Sequence, residues 1–373
     1  MENPPLAIQK EKRGGGEPRL NRINPPPSRD FDAVRKVLVR AANWIGDAVM
    51  TLPALTAIRE GLPNRHLAVL TKPWVADLFS GHPAVDEIIL YESPGRHEGL
   101  RGKWRLAREL RAKGFDLAIL FQNAFEAALL AYWAKIPRRA GYNTDARGIL
   151  LTRAVSVNRL VKKGHQVDYY RAMTAALGFQ SGVSAPSLPL AEGRREEGEQ
   201  ILTACGLQNE RRLIGLGPGA AYGPAKQWFP ERFAALADRF AQEWRARLLI
   251  FGSRGDRETA ARLARSSLTE LTDFTGQTTL GQAMGLIARC RLFVTNDSGL
   301  MHVAAALGVP VVAIFGSTDP ARTGPLGEKC RVLRKPLPCA PCLQAQCPER
   351  RECMEKISVD EVFQAAGELW NDA

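Results

Sequence analysis

Lys36-Val37-Leu38-Val39-Arg40, then Ala41-Ala42-Asn43-Trp44-Ile45-Gly46, then Asp47-Ala48-Val49-Met50-Thr51-Leu52-Pro53-Ala54-Leu55, is the stretch from which the fold is read. Three aliphatic residues between two cations make a short buried strand. Ala41 to Gly46 follow it as a loop. A helix begins near Asp47, because Val49, Leu52, Leu55 and Ile58 recur at helical spacing. Pro53 falls in its first two turns, where a missing amide hydrogen costs least. Strand, loop and helix in that order open a βαβ unit.

The same rhythm continues outward. His66–Leu70 reads as a strand, Trp104–Lys113 as an amphipathic helix and Leu117–Phe121 as a buried strand. Pro186 to Arg195 reads as a linker, after which the pattern repeats. Strand Leu213–Leu216, helix Pro230–Trp244, strand Leu248–Phe251 and helix Asp256–Ser266 come first. Helix Leu280–Ala288, strand Leu292–Thr295, helix Leu300–Leu307 and strand Val311–Phe315 follow. Alternation of this kind specifies a parallel sheet covered on both faces, twice over. The expected fold class is α/β, with two Rossmann-like domains facing across a cleft. A flexible tail over 1–34, an N-terminal domain over 35–190 and a C-terminal domain over 191–373 are expected. Such sheets bind ligands outside the carboxyl ends of their strands.

The chain of 373 residues, 45% hydrophobic and 24% charged, can bury two cores without disulfides. Its net charge of +12 is unevenly placed: residues 36–190 hold 21 basic and 12 acidic side chains, residues 191–373 hold 23 and 22. A basic N-terminal half attracts a polyanion, or is simply a solvated surface. No nucleic-acid motif or aromatic stacking platform accompanies the charge, so nucleic acid is not an expected partner. The longest uncharged run, Ser298 to Thr318, is broken by Gly308 and Pro310, and reads as helix, turn and strand. Residues 1–30 lack the apolar stretch of a secretory signal, and a cytoplasmic location is expected.

Chemistry-bearing residues gather at strand-to-helix junctions. Gly215-Leu216-Gly217-Pro218-Gly219 lets backbone amides approach an anion, although glycines also serve plain turns. Lys226 precedes a helix opening at Pro230, an arrangement suited to a diphosphate. Asp297, Ser298 and Gly299 cluster where the next helix begins, with His302 one turn in. Helix capping by Asp297 or Ser298 is the plainer reading, and does not exclude ligand contact. Asp47 is a candidate general base or a first-turn acid stabilised by the helix dipole. Cys339, Cys342, Cys347 and Cys353 are dense enough for a metal site, yet their spacing is not paired CxxC and no histidine lies nearby. Loop thiols or a redox-labile pair remain open, and Cys205, Cys290 and Cys330 read as scattered structural thiols. Arg96 to Lys113, with Arg138, Arg139, Arg147, Lys162, Lys163 and His165, forms a basic region able to grip phosphates or carboxylates.

Four stretches together resemble the ADP-heptose:lipopolysaccharide heptosyltransferases, glycosyltransferase family 9. They are Val39 to Leu55, Gly217-Pro218-Gly219-Ala220 with Lys226-Gln227-Trp228, Thr295 to His302, and Cys339 to Cys353. Within the family, Asn43 to Asp47 and the cysteine cluster are most similar to the heptosyltransferase II branch. The resemblance implies a GT-B fold, with acceptor on the N-terminal domain and donor on the C-terminal one. It implies direct, inverting transfer with Asp47 as base, and an ADP-heptose donor held by Gly217, Gly219, Lys226, Asp297, Ser298, Gly299 and His302. Asp256 is the expected ribose partner. No cofactor is required on this reading, and whether a metal is bound stays open. The implied acceptor is an anionic lipopolysaccharide core, with peripheral association at the inner membrane. A relative using another nucleotide sugar, or a nucleotide-sugar epimerase, is the alternative.

Overall fold

The computed structural model describes residues 31–371, so the expected tail lies outside the described residues up to residue 30. The first half carries β1 (Lys36–Arg40), β2 (His66–Thr71), β3 (Glu87–Leu90), β4 (Leu117–Leu120), β5 (Arg138–Tyr142) and β6 (Arg153–Val155). The second carries β7 (Leu213–Gly217), β8 (Arg247–Ile250), β9 (Leu271–Asp273), β10 (Leu292–Asn296), β11 (Val311–Phe315) and β12 (Cys330–Arg334). The sheets run β3-β2-β1-β4-β5-β6 and β12-β11-β10-β7-β8-β9. Read from β9, the second order is the first repeated. Neighbouring strands pair in parallel throughout, for instance Val37 opposite Leu67 and Leu117, and Thr295 opposite Gly217. In both sheets the order reverses beside the first strand, at β1/β4 and β7/β10, which opens a crevice at each strand-end edge.

Parallel strands covered on both faces need unbroken aliphatic runs. β4 and β11 have them and are buried at every position. One apolar cluster passes continuously from Val39 and Met50 in the first half to Met301 and Phe293 in the second. The halves are therefore packed together along a shared seam.

Two expectations need correction. The single helix expected from Asp47 onward is two, Ile45–Met50 and Leu52–Gly61, joined at Thr51. Pro53 stands in the first turn of the second piece and has no amide hydrogen to continue the first. The linker is shorter than Pro186 to Arg195, because a helix already begins at Glu192 and runs to Ala204. Among the described residues no helix is long and apolar enough to cross a membrane.

Candidate functional site

Between the two halves lies a cavity of about 560 Å³. Gly217, Gly219, Asp256, Ser298 and Gly299 line it from the second half, and Trp74 lines it from the first. The glycines are dictated by space. A Cβ on Gly219 would come 2.3 Å from the Asp256 carboxyl, and one on Gly217 would come 2.5 Å from Thr295 Oγ1. The loop thus presents backbone to the cavity where any side chain would collide. Asp256 closes a capping box: its Oδ2 accepts from the Ser253 amide at 2.8 Å and from the Ser253 hydroxyl at 2.7 Å. The eight-residue helix Gly299–Ala306 points its first turn at the same space, and Ser298 at its N-cap position makes no side-chain cap. Its leading amides are left for a ligand or water.

Lys226 belongs to a different helix end from the one expected. It sits on a short 3₁₀ turn, and its Nζ donates to Asp297 Oδ2 at 2.5 Å. Thr318 Oγ1 donates to the same oxygen at 2.6 Å. Pro230, at the head of the following helix, is buried and does not line the cavity. The lysine therefore serves the Ser298–Gly299 junction. Asp297 is 5% exposed, and a buried carboxylate needs such partners to stay ionised.

Asp47 comes to this cluster from the other half. It lies in the first turn of helix Ile45–Met50, but Trp44 holds the N-cap position and the Asp47 carboxylate caps nothing. Burial raises its pKa; nearby Lys226 pulls it down and nearby Asp297 pushes it up. The carboxylate thus lies within the field of the Lys226–Asp297 pair and has no hydrogen-bond partner among the described residues. Two glycines allow the approach. A Cβ on Gly46 would stand 2.9 Å from His302 Cδ2, and one on Gly299 would stand 2.9 Å from the Ile45 Cβ. His302 is buried at this junction, and desolvation pushes its pKa down to about 4, so its imidazole is neutral near pH 7.

The structure thus groups the expected residues in two sets. Gly217, Gly219, Asp256, Ser298 and Gly299 line the cavity. Asp47, Lys226, Asp297 and His302 form the polar junction beside it. Other residues of the basic and cysteine-rich segments have different employment. Arg147 is fully buried and donates to the carbonyls of Tyr142, Gln122 and Leu120, so it grips no ligand. His165 caps the helix Gln166–Ala176 through Nδ1 and reaches Gly324 O through Nε2 at 3.0 Å. Cys339, Cys342, Cys347 and Cys353 line a separate cavity of about 230 Å³. Among the described residues no group of three or more His, Cys, Asp or Glu is arranged to hold a metal ion. The cysteine-rich loop also clasps the lysine segment: Ala225 N donates to Ala345 O, Tyr222 Oη to Leu343 O, and Arg351 to Pro224 O.

Sequence reading missed Thr318 and Trp74. The first stands in Gly316-Ser317-Thr318-Asp319, a small polar cluster after a buried strand, which is the same signal that marks Gly217 and Ser298. The second had no local signal; only the tertiary fold brings its 3₁₀ helix, Pro73–Phe79, to the cavity.

Two parallel sheets of one strand order, joined over a cleft at their strand ends, make the GT-B architecture. Residues 103–352 match the model for glycosyltransferase family 9 (heptosyltransferase), and the chain belongs to that family. It is 35% identical over 311 residues to lipopolysaccharide heptosyltransferase 2 of Salmonella typhimurium, covering 80% of this chain and 88% of that one. The solved structure of the Escherichia coli ADP-heptose lipopolysaccharide heptosyltransferase II is similar at a TM-score of 0.76 and 30% identity, covering 90% of this chain and 99% of that one. A family 9 glycosyl transferase from Veillonella parvula aligns at a TM-score of 0.82 and 27% identity, covering 91% and 98%.

Proposed function

We propose that this glycosyltransferase moves L-glycero-D-manno-heptose from ADP-heptose onto a heptose of the lipopolysaccharide inner core, with inversion at the anomeric carbon. In this reading residues 35–190 receive the acceptor and residues 191–373 the donor. The ADP lies in the 560 Å³ cavity, a volume ordinary for a small-ligand site. Its diphosphate meets the bare backbone of Gly217 to Gly219 and the leading amides of helix Gly299–Ala306. Lys226 neutralises charge as the ADP departs, its ammonium fixed by Asp297, which Thr318 in turn holds. Asp256 holds the wall beside Gly219, where a ribose hydroxyl would find its second carboxylate oxygen.

Asp47 takes the proton of the acceptor hydroxyl as that oxygen attacks the anomeric carbon and the bond to the diphosphate breaks. One proton passes to the carboxylate, one glycosidic bond forms, and ADP leaves with the bonding pair. A base should be free of other partners and shifted toward the working pH. The observation that carries the proposal is the uncapped Asp47 carboxylate, raised in pKa by burial, in the field of the Lys226–Asp297 pair across the junction of the halves. His302 stays neutral and packs under Gly46, which holds the distance between the two helices.

The test supplies purified protein with ADP-heptose and a core acceptor already bearing one heptose, and follows product by mass spectrometry and NMR. The expected product is heavier by one heptose and inverted at the new linkage. A higher kcat/KM with a different nucleotide sugar would overturn the donor assignment. Turnover of the donor alone to an epimer would overturn the transferase.

A further inference from the structure

Large apolar side chains are exposed in both halves, and four of those in the first half lie on neighbouring elements. Leu100 is 73% exposed, Trp104 52%, Tyr132 51% and Ile149 85%. Leu100 and Trp104 are one turn apart on the helix Gly99–Lys113 and share a face. The Trp104 ring meets Trp133 edge-on at 5.9 Å, on the helix Phe125–Trp133 that also carries Tyr132. That helix packs in turn against the turn Arg147–Leu150, where Ile149 projects. The four side chains thus stand on three elements joined by direct packing.

The cations around them are the second observation. Helix Gly99–Lys113 bears Arg101, Lys103, Arg105, Arg108, Arg111 and Lys113 against a single acid, Glu109. Glu109 is taken by Arg96 and His97, Lys103 by Glu126, and Lys113 by Glu87. Arg101, Arg108 and Arg111 have no ion pair among the described residues and are exposed. Arg139 lies over the Tyr132 ring at 5.5 Å. Exposed tryptophan, tyrosine and branched aliphatics flanked by unpaired arginines suit the boundary between lipid headgroups and acyl chains. Arginines in excess match an anionic leaflet by charge.

We infer that the face formed by Leu100, Trp104, Tyr132 and Ile149, with its flanking arginines, docks the first half on an anionic bilayer surface. The inference rests on the proposed function for one point, that the acceptor is lipid-anchored and must be met at a membrane. Docking on this face puts the acceptor-receiving half against the bilayer and leaves the nucleotide-binding half toward the aqueous side.

The experiment is sedimentation of the full chain with vesicles of phosphatidylcholine alone or mixed with phosphatidylglycerol. It is repeated for the variant Leu100→Ser/Trp104→Ser/Ile149→Ser and for Arg101→Glu/Arg108→Glu. The protein should bind the anionic vesicles with Trp emission shifted to the blue, and added salt should weaken binding. The apolar triple variant should bind at least about tenfold more weakly, as loss of several buried apolar side chains predicts. Activity separates this inference from the functional one. The triple variant should keep its rate on a delipidated core acceptor and lose rate on the same core anchored in vesicles. Equal vesicle binding by wild type and triple variant would overturn the inference even if transfer is confirmed. So would a wild-type dimer, seen by sedimentation velocity, that the triple variant dissolves. Loss of rate on both acceptors by a well-folded triple variant would also overturn it, and would make the face part of the glycan site.

Discussion

The loops after β1 and β7 occupy equivalent places in two sheets of the same strand order, and they are built in opposite ways. After β1 the chain is held by its own side chains. Arg40, buried and lowered in pKa to about 10 by desolvation, donates to Ala41 O and Asn43 Oδ1, each at 2.7 Å. Trp74 Nε1 donates to Asn43 O at 2.9 Å. After β7 the chain is glycine and bare backbone, open to the cavity. On the proposed reading, the first construction fixes the loop that leads to Asp47, and the second leaves bare backbone for a ligand that brings its own charge. One fold therefore supports two tasks through the filling of one crevice in each copy.

The largest effect should come from breaking the task of the first loop. Asp47→Ala should lower kcat by about 10³-fold, within the range for removing a positioned general base, while the ADP Kd stays within a few-fold. Steady-state kinetics and calorimetry would check both, and near-normal turnover removes Asp47 from the base role. Lys226→Ala attacks the other half. It should raise the donor KM and reduce kcat together, by about 10²-fold in kcat/KM, as loss of an electrostatic stabiliser does. An unchanged donor KM would place the ammonium outside the donor site. Gly46→Val strikes the junction between them, because its side chain would enter the space of His302. Overpacking of this kind costs roughly 1–3 kcal/mol, so the Tm should fall and kcat should drop more than either substrate affinity.

The smallest effect sharpens the reading of Asp47. Its folded pKa is raised above 3.8, so the protonated form is favoured in the native state. The stability this contributes is full below 3.8 and is lost as pH rises through the folded value. Asp47→Asn should therefore melt a degree or more above wild type at neutral pH, with the gap closing toward acid. The acidic limb of kcat/KM in the wild type should lie above the ordinary aspartate range. A limb at that ordinary value, or a melting difference that does not change with pH, contradicts the burial argument.

Much of the fold was legible because its central strands are buried, largely apolar runs: β1, β4, β7, β10 and β11 announce themselves. The flanking strands do not. Glu87-Ile88-Ile89-Leu90, Leu271-Thr272-Asp273 and Arg153-Ala154-Val155 are short and only partly buried, so neither alternation nor hydrophobicity marks them. The cavity residues were legible because glycine and small polar residues after a buried strand carry their own signal. The partnership of Asp297 with Thr318, and the clasp of the cysteine-rich loop on the lysine segment, join residues far apart in the chain and had no local trace. Arg147 misled because charge reads as surface, whereas here a ring of carbonyls satisfies a guanidinium inside the fold.

Hydrogen exchange with and without ADP tests the division of tasks most directly, since it reads the backbone amides on which the account rests. ADP should slow exchange at 217–221 and 298–300 and leave the loop 41–46 nearly unchanged. Protection centred on the ends of β1, β2 and β3, with none at Gly217 to Gly219, would contradict the assignment of the nucleotide to the second half.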